Sequence, residues 1–120
     1  MTTVDNSSTQ RYDGYETDGG NATEDCIFLL SWAEVNTYFP DKDARKCGVT
    51  DYAVKNGALT LKRFEADGKP TVNWWFRSPG EYQYNASGAD EFGSFNIFIV
   101  SNKSIGIRPA FRIGLSSGVF

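Results

Sequence analysis

The hydrophobic period of this chain changes once, near Ala58, from helical spacing to strict alternation, and that change limits it to a mixed α+β fold. Ahead of the switch, Ser31 and Glu34 have the spacing of a capping box, in which each side chain satisfies a free backbone N–H of the other residue. Leu30 and Val35 stand at the positions of the accompanying hydrophobic staple. Trp32, Val35, Tyr38 and Phe39 fall on one helical face, and Pro40 ends the run. The apolar stretch Cys26–Leu30 before the cap reads as a short buried strand. A second short helix is expected over Asp51–Lys55, capped by Thr50 and stopped at Gly57, with one helical turn in the connection 41–48.

After the switch, Leu59 and Leu61 alternate with Thr60 and Lys62. Ala66–Pro70 then makes a turn and Val72–Phe76 returns, so a hairpin is expected. Phe95–Val100 is apolar on both faces and reads as a central strand covered on both sides. In Ile105–Ile113, residues Ile105, Ile107, Phe111 and Ile113 share one face, with Arg108 and Arg112 on the other and Pro109 marking an edge or bulge. Ser78–Ser94 has no clear period and reads as a long loop, the kind of segment that carries binding sites in small domains. The expectation is two short helices on a mainly antiparallel, meandering sheet with one long loop.

With 120 residues the chain is one domain or a piece of one. Residues 1–25 carry six acids against Arg11, a net of −5, and read as a polar, acidic tail or linker. Tyr12 and Tyr15 are its only large anchors for docking on the body, residues 26–120. That body is left with a charge of +2 and has no basic stripe, which argues against nucleic-acid binding. No apolar run is long enough to enter and cross a bilayer. The chain has no histidine, so Ser–His and Cys–His catalysis and histidine metal ligation are excluded. Cys26 and Cys47 are too far apart for a local metal or redox motif and read as small buried hydrophobes, or else as one disulfide.

The string Trp74–Gly80 is the most unusual in the chain. On a strand, Trp74 and Phe76 face one way and Trp75 and Arg77 the other. In one reading the aromatic residues build the core and Arg77 spans loop carbonyls or a carboxylate. In the other, Trp75 and Arg77 line a pocket suited to a sugar ring or an anion. Arg108 is expected to tie the last strand to Asp90 or Glu91. Glu81, Asn85, Asp90, Glu91 and Asn96 offer oxygens for a calcium ion, but their spacing matches no EF-hand, and neither a metal nor a cofactor is assigned. No pair of carboxylates is singled out for acid–base work, and no phosphate-cradling loop or nucleophile elbow is present.

Ile27–Ser31 with Glu34, Tyr38-Phe39, Arg45, Thr50–Ala53, Trp74–Gly80 and Gly106–Ala110 together resemble an uncharacterised bacterial family, a domain of unknown function often found in exported or surface proteins. Members of that family usually carry a further region ahead of the Phe-Leu-Leu-Ser block, so the resemblance implies the C-terminal part of a longer parent protein. The tryptophan–arginine strand followed by a Gly-x-Arg strand also resembles the C-type-lectin-like superfamily, which includes the formylglycine-generating enzymes. The resemblance implies a C-type-lectin-like α+β domain with a ligand-binding loop, in an extracellular or cell-surface setting. It carries over no activity. The Glu-Pro-Asn and Trp-Asn-Asp sugar-and-calcium motifs are missing, and neither cysteine lies where the enzyme's reactive cysteines are expected. The expected function is non-catalytic recognition of a glycan or protein ligand through residues 78–94, with Trp75, Arg77, Glu81, Asn85, Asp90 and Glu91 at the site and Trp74 and Arg108 structural. The alternative is a structural or assembly domain without a small-molecule ligand.

Overall fold

The computed structural model describes residues 1–60 and 64–114. In chain order the strands and helices are β1 (Thr2–Val4), β2 (Thr23–Asp25), β3 (Phe28–Leu29), α1 (Trp32–Tyr38), α2 (Lys42–Arg45), α3 (Asp51–Lys55), β4 (Glu65–Ala66), β5 (Lys69–Pro70), β6 (Trp74–Pro79), β7 (Asn85–Ala89), β8 (Phe95–Ile99) and β9 (Pro109–Ala110), with a 3-10 turn at Ser8–Gln10. This is an α+β fold of short helices and antiparallel ladders: β1–β2, β3–β9, β4–β5 and the three-stranded sheet β6–β7–β8.

The helices form where the caps place them. Ser31 Oγ accepts the Glu34 amide, Glu34 accepts the Ser31 amide, and Leu30 packs into the cluster that buries Val35. Thr50 Oγ1 accepts the Ala53 amide at the start of α3, and Gly57, with φ +101°, follows its end. The core gathers Val35, Trp74, Phe76 and Ala89, with Leu30, Trp32, Phe39, Cys47 and Phe95 packed around them. Trp74 is fully buried and its indole N–H donates to the Arg45 carbonyl at 2.9 Å, so its one polar atom is satisfied.

The strands depart from the sequence reading in several places. The stretch expected as one long loop, 78–94, contains β7, the middle strand of the main sheet. Its Asn-Ala-Ser-Gly-Ala sequence has no β-branched or aromatic residue to mark it as a strand, and at Gly88 its neighbours leave no room for one. A Cβ on Gly88 would lie 2.5 Å from the Trp74 carbonyl oxygen and 2.7 Å from the Phe98 ring. The apolar run expected in the sheet centre, β8, is instead an edge strand, and Ile99 and Val100 are exposed. Only two residues of 105–113 form a strand. Ile105 is buried, whereas Ile107, Phe111 and Ile113 are exposed, so those apolar positions do not share a buried face.

The expected hairpin turn is present, with Asp67 and Gly68 at φ +54° and +76° between β4 and β5. Its arms are shorter than expected: Leu59 is exposed and outside any strand, and Leu61 and Lys62 lie outside the described residues. The short strand at 26–30 is reduced to β3, and Cys26 and Ile27 are exposed. Both cysteines are free and Cys47 is only partly buried, so neither the buried-hydrophobe nor the disulfide reading describes the pair. The acidic N-terminal segment contains β1, β2 and the 3-10 turn. It is anchored by buried Val4 and by Ser78 Oγ donating to the Gln10 carbonyl at 2.6 Å.

Gly88→Ala is therefore expected to destabilise the domain by about 2 kcal/mol through overpacking, whereas the same change at exposed Gly114 meets no atom within 4 Å and no left-handed backbone. Thermal melts of the two variants check this, and a midpoint for Gly88→Ala equal to the parent's would contradict the tight β7 packing.

Candidate functional site

The residues expected at a site in 78–94 are separated by the sheet. Asn85 opens β7 and Asp90 follows its other end, about 16 Å away for five extended residues. Asn85 Oδ1 accepts the Tyr82 amide at 3.1 Å and shapes the β6–β7 turn. Asp90 accepts the Phe92 and Ser94 amides and closes the β7–β8 turn. The Glu91 amide donates to Asn73 Oδ1, and Glu81 is exposed, its carbonyl receiving the Thr17 hydroxyl. Trp75 is partly buried, edge-on to Phe98 with ring centroids 5.7 Å apart. Trp75 and Arg77 share a face of β6, yet Arg77 is engaged throughout. It donates to the Leu29 carbonyl at 2.9 Å, the Asp5 carbonyl at 2.8 Å, Asn6 Oδ1 at 3.1 Å and the Glu34 carboxylate. No hydrogen bond or ion pair joins Arg108 to Asp90 or Glu91; its guanidinium lies over the rings of Phe39 and Trp74. Among the described residues, no three His, Cys, Asp or Glu side chains gather where they could hold a metal ion.

A cleft of about 370 Å³ lies between the N-terminal segment and the main sheet. Tyr12 and Tyr15 stand 5.0 Å apart by ring centroid, Tyr12 meets Trp32 edge-on at 5.2 Å, and Trp32 meets Phe95 at 5.6 Å. All four rings line the cleft, with Ser87, Ser94, Asn96, Ile97, Lys42 and Arg45. The Arg45 charge is internal, since Nε donates to Gly93 O at 2.7 Å, Nη1 to Phe39 O at 3.0 Å, and the guanidinium stacks on Phe95. Lys42 is exposed and makes no ion pair among the described residues. Burial, with Glu81 and Tyr12 nearby, raises the Tyr15 hydroxyl above its ordinary value, so it remains a donor at neutral pH. The cleft thus combines aromatic surfaces, hydroxyls, an amide and one ammonium group, with no carboxylate among its lining residues. That composition suits binding. The sequence offered partial signals, Tyr12 and Tyr15 as anchors and Trp32 on a helix face, but nothing in it joins them to Lys42 and Asn96.

A family model described as a domain of unknown function (DUF6273) matches residues 1–115. The chain belongs to the DUF6273 family. The match runs through the N-terminal segment that supplies Tyr12 and Tyr15. Among curated proteins and among solved structures, no significant match was found.

In this DUF6273 domain the charged group that positions the cleft is Glu34. Burial alone would push its carboxyl up, but the bonds from Arg77 and from the Ser31 amide prevail and hold it below its ordinary value. A carboxyl with a lowered folded-state pKa contributes stability that is present above its unfolded value and lost as pH falls through the folded one. Glutamine can still close the capping box, so Glu34→Gln removes the charge and leaves the cap. We expect Glu34→Gln to melt well below the parent at pH 7 and the gap to close on acidification below the ordinary glutamate range. A gap of constant size from pH 7 to pH 3 would mean that the charge contributes nothing.

Proposed function

We propose that the DUF6273 domain is a non-catalytic recognition module with a C-type-lectin-like fold, seating a glycan in the Tyr12–Tyr15–Trp32 cleft. The observation that carries this reading is a wall of aromatic rings beside an amide and an ammonium that makes no ion pair among the described residues, without a carboxylate in the lining. Aromatic rings offer an apolar plate to the C–H face of a sugar, while hydroxyl, amide and ammonium groups fix its oxygens. The volume falls at the lower end of the roughly 300–1,000 Å³ typical of small-molecule sites, which favours one or two sugar units. Lys42 favours an acidic sugar. Ser87 and Ser94 bring the 78–94 segment into the site as one wall. The lectin-like reading draws support from Trp74 lying beside Gly106, which sets the tryptophan–arginine strand next to the Gly-x-Arg segment. An exported or surface-exposed bacterial parent protein agrees with this role.

A structural or assembly role is the second reading. It is supported by Arg77, whose donors are engaged within the chain, and by exposed Tyr82, Tyr84, Ile99 and Val100 near the tip of the β6–β7 hairpin.

An NMR titration of the domain against neutral and acidic mono- and disaccharides, with and without calcium, separates the two. The expected outcome is saturable movement of the Trp32 indole N–H signal with one sugar class, weakened about tenfold by Tyr15→Ala and by Lys42→Ala, or about 1.4 kcal/mol each. No saturable shift with any sugar would leave the assembly reading standing.

A further inference from the structure

Three arginines approach the core, and their guanidinium groups end in different surroundings. Arg45 and Arg77 donate to carbonyls and, for Arg77, to a carboxylate. Among the described residues Arg108 makes no hydrogen bond or ion pair, and its Nη1 is buried without a partner. Phe39 and Trp74 hold the guanidinium between them, at 4.7 and 4.8 Å from their ring centroids. Stacking of this kind stabilises the faces of the cation and leaves the in-plane N–H donors unsatisfied. A guanidinium has five such donors and no acceptor, so a partly buried one held between two rings calls for an oxyanion.

Arg108 also lines two adjoining cavities of about 330 and 180 Å³, which share Cys47, Gly48, Val49 and Thr50. The smaller is walled by Val49, Val72, Trp74 and Ile107, an apolar lining of the size of a short hydrocarbon chain. The Thr50 hydroxyl accepts the Ala53 amide and keeps its own hydrogen to donate. In the larger cavity, Lys46 is paired with Asp43 at 2.9 Å and Lys69 stands 4.0 Å from Asp51, while Asp67 adds a further negative charge. One unpartnered cation beside these acids fits a single negative charge and disfavours a dianion such as phosphate.

We propose that these joined cavities bind a small aliphatic monocarboxylate, its carboxylate on Arg108 and its hydrocarbon chain against Val49, Val72 and Trp74. The site is separate from the aromatic cleft and does not depend on the glycan reading.

Cys47 lines both cavities and supplies the reporter. Burial raises its thiol above the ordinary value despite nearby Arg108, so it reacts slowly enough to follow. The chain has two cysteines, so Cys26→Ser leaves Cys47 as the only thiol. In that background the rate of Cys47 alkylation by N-ethylmaleimide is measured against butyrate, with chloride at equal ionic strength as the control and inorganic phosphate as the competing anion. Butyrate is expected to slow the reaction saturably, about tenfold at a tenfold excess over Kd. Arg108→Met keeps an unbranched stem between the two rings. It is expected to abolish protection while melting no lower than the parent, because it removes an unsatisfied donor. Should that variant not fold, Ile107→Asp, which sets a negative charge at an exposed position on the apolar wall, is expected to weaken protection in a folded protein. Three outcomes overturn the proposal: no protection by butyrate, equal protection in Arg108→Met, or protection by phosphate with none by butyrate.

Discussion

One carboxylate joins most of this domain. Glu34 Oε1 accepts the Ser31 amide, closing the start of α1, and also receives Arg77 from β6, while its other oxygen lies 3.5 Å from Arg112. Arg77 extends the connection to Leu29 in β3 and to Asp5 and Asn6 in the N-terminal segment. Helix, sheet, N-terminal segment and the region after β9 are therefore fastened at one mostly buried ion pair, whose side chains are 12% and 14% exposed. Removing one partner from such a pair costs more than the pair adds, because the other charge is left without compensation. The aromatic cleft depends on this junction, since Tyr12 and Tyr15 come from the segment that Arg77 holds in place.

The same logic separates the arginines that build the domain from the one that does not. Arg45 and Arg77 meet carbonyl oxygens of Phe39, Gly93, Leu29 and Asp5, so their donors are matched by backbone acceptors. Among the described residues Arg108 is held by rings, without a hydrogen bond, beside cavities that open onto Cys47 and Thr50. A cation clamped on its faces and unbonded at its edge is a scaffold element only in part.

What could be read from the sequence was local. The Ser31–Glu34 box, the Thr50 cap and the Asp67-Gly68 turn each rest on contacts within four residues, and each forms as expected. Pairing across the sheet was not legible. β7 carries no strand signal of its own: its residues are small or polar, at Gly88 because the Trp74 backbone and the Phe98 ring exclude a side chain, and they imitate a loop. β8 has the apolar composition of a central strand but lies at the edge, because β7 rather than β8 fills the middle place. The N-terminal segment, mostly polar, is fastened largely by backbone carbonyls, Asp5 to Arg77 and Gln10 to Ser78, and a carbonyl has no residue-specific signature.

The sequence by itself determined the α+β class, the helix starts, the tight turn and the lack of histidine chemistry, since all of these follow from residue type at short range. The tertiary structure decided which residues share a cavity. Tyr12, Trp32, Lys42 and Asn96 meet only once the N-terminal segment lies against α1 and β8. Arg108 comes to lie over Phe39 and Trp74, its Nη1 buried without a partner among the described residues, only through that packing. Both outcomes depend on contacts between residues distant in sequence, which side-chain volume and directed hydrogen bonds select and periodicity does not encode.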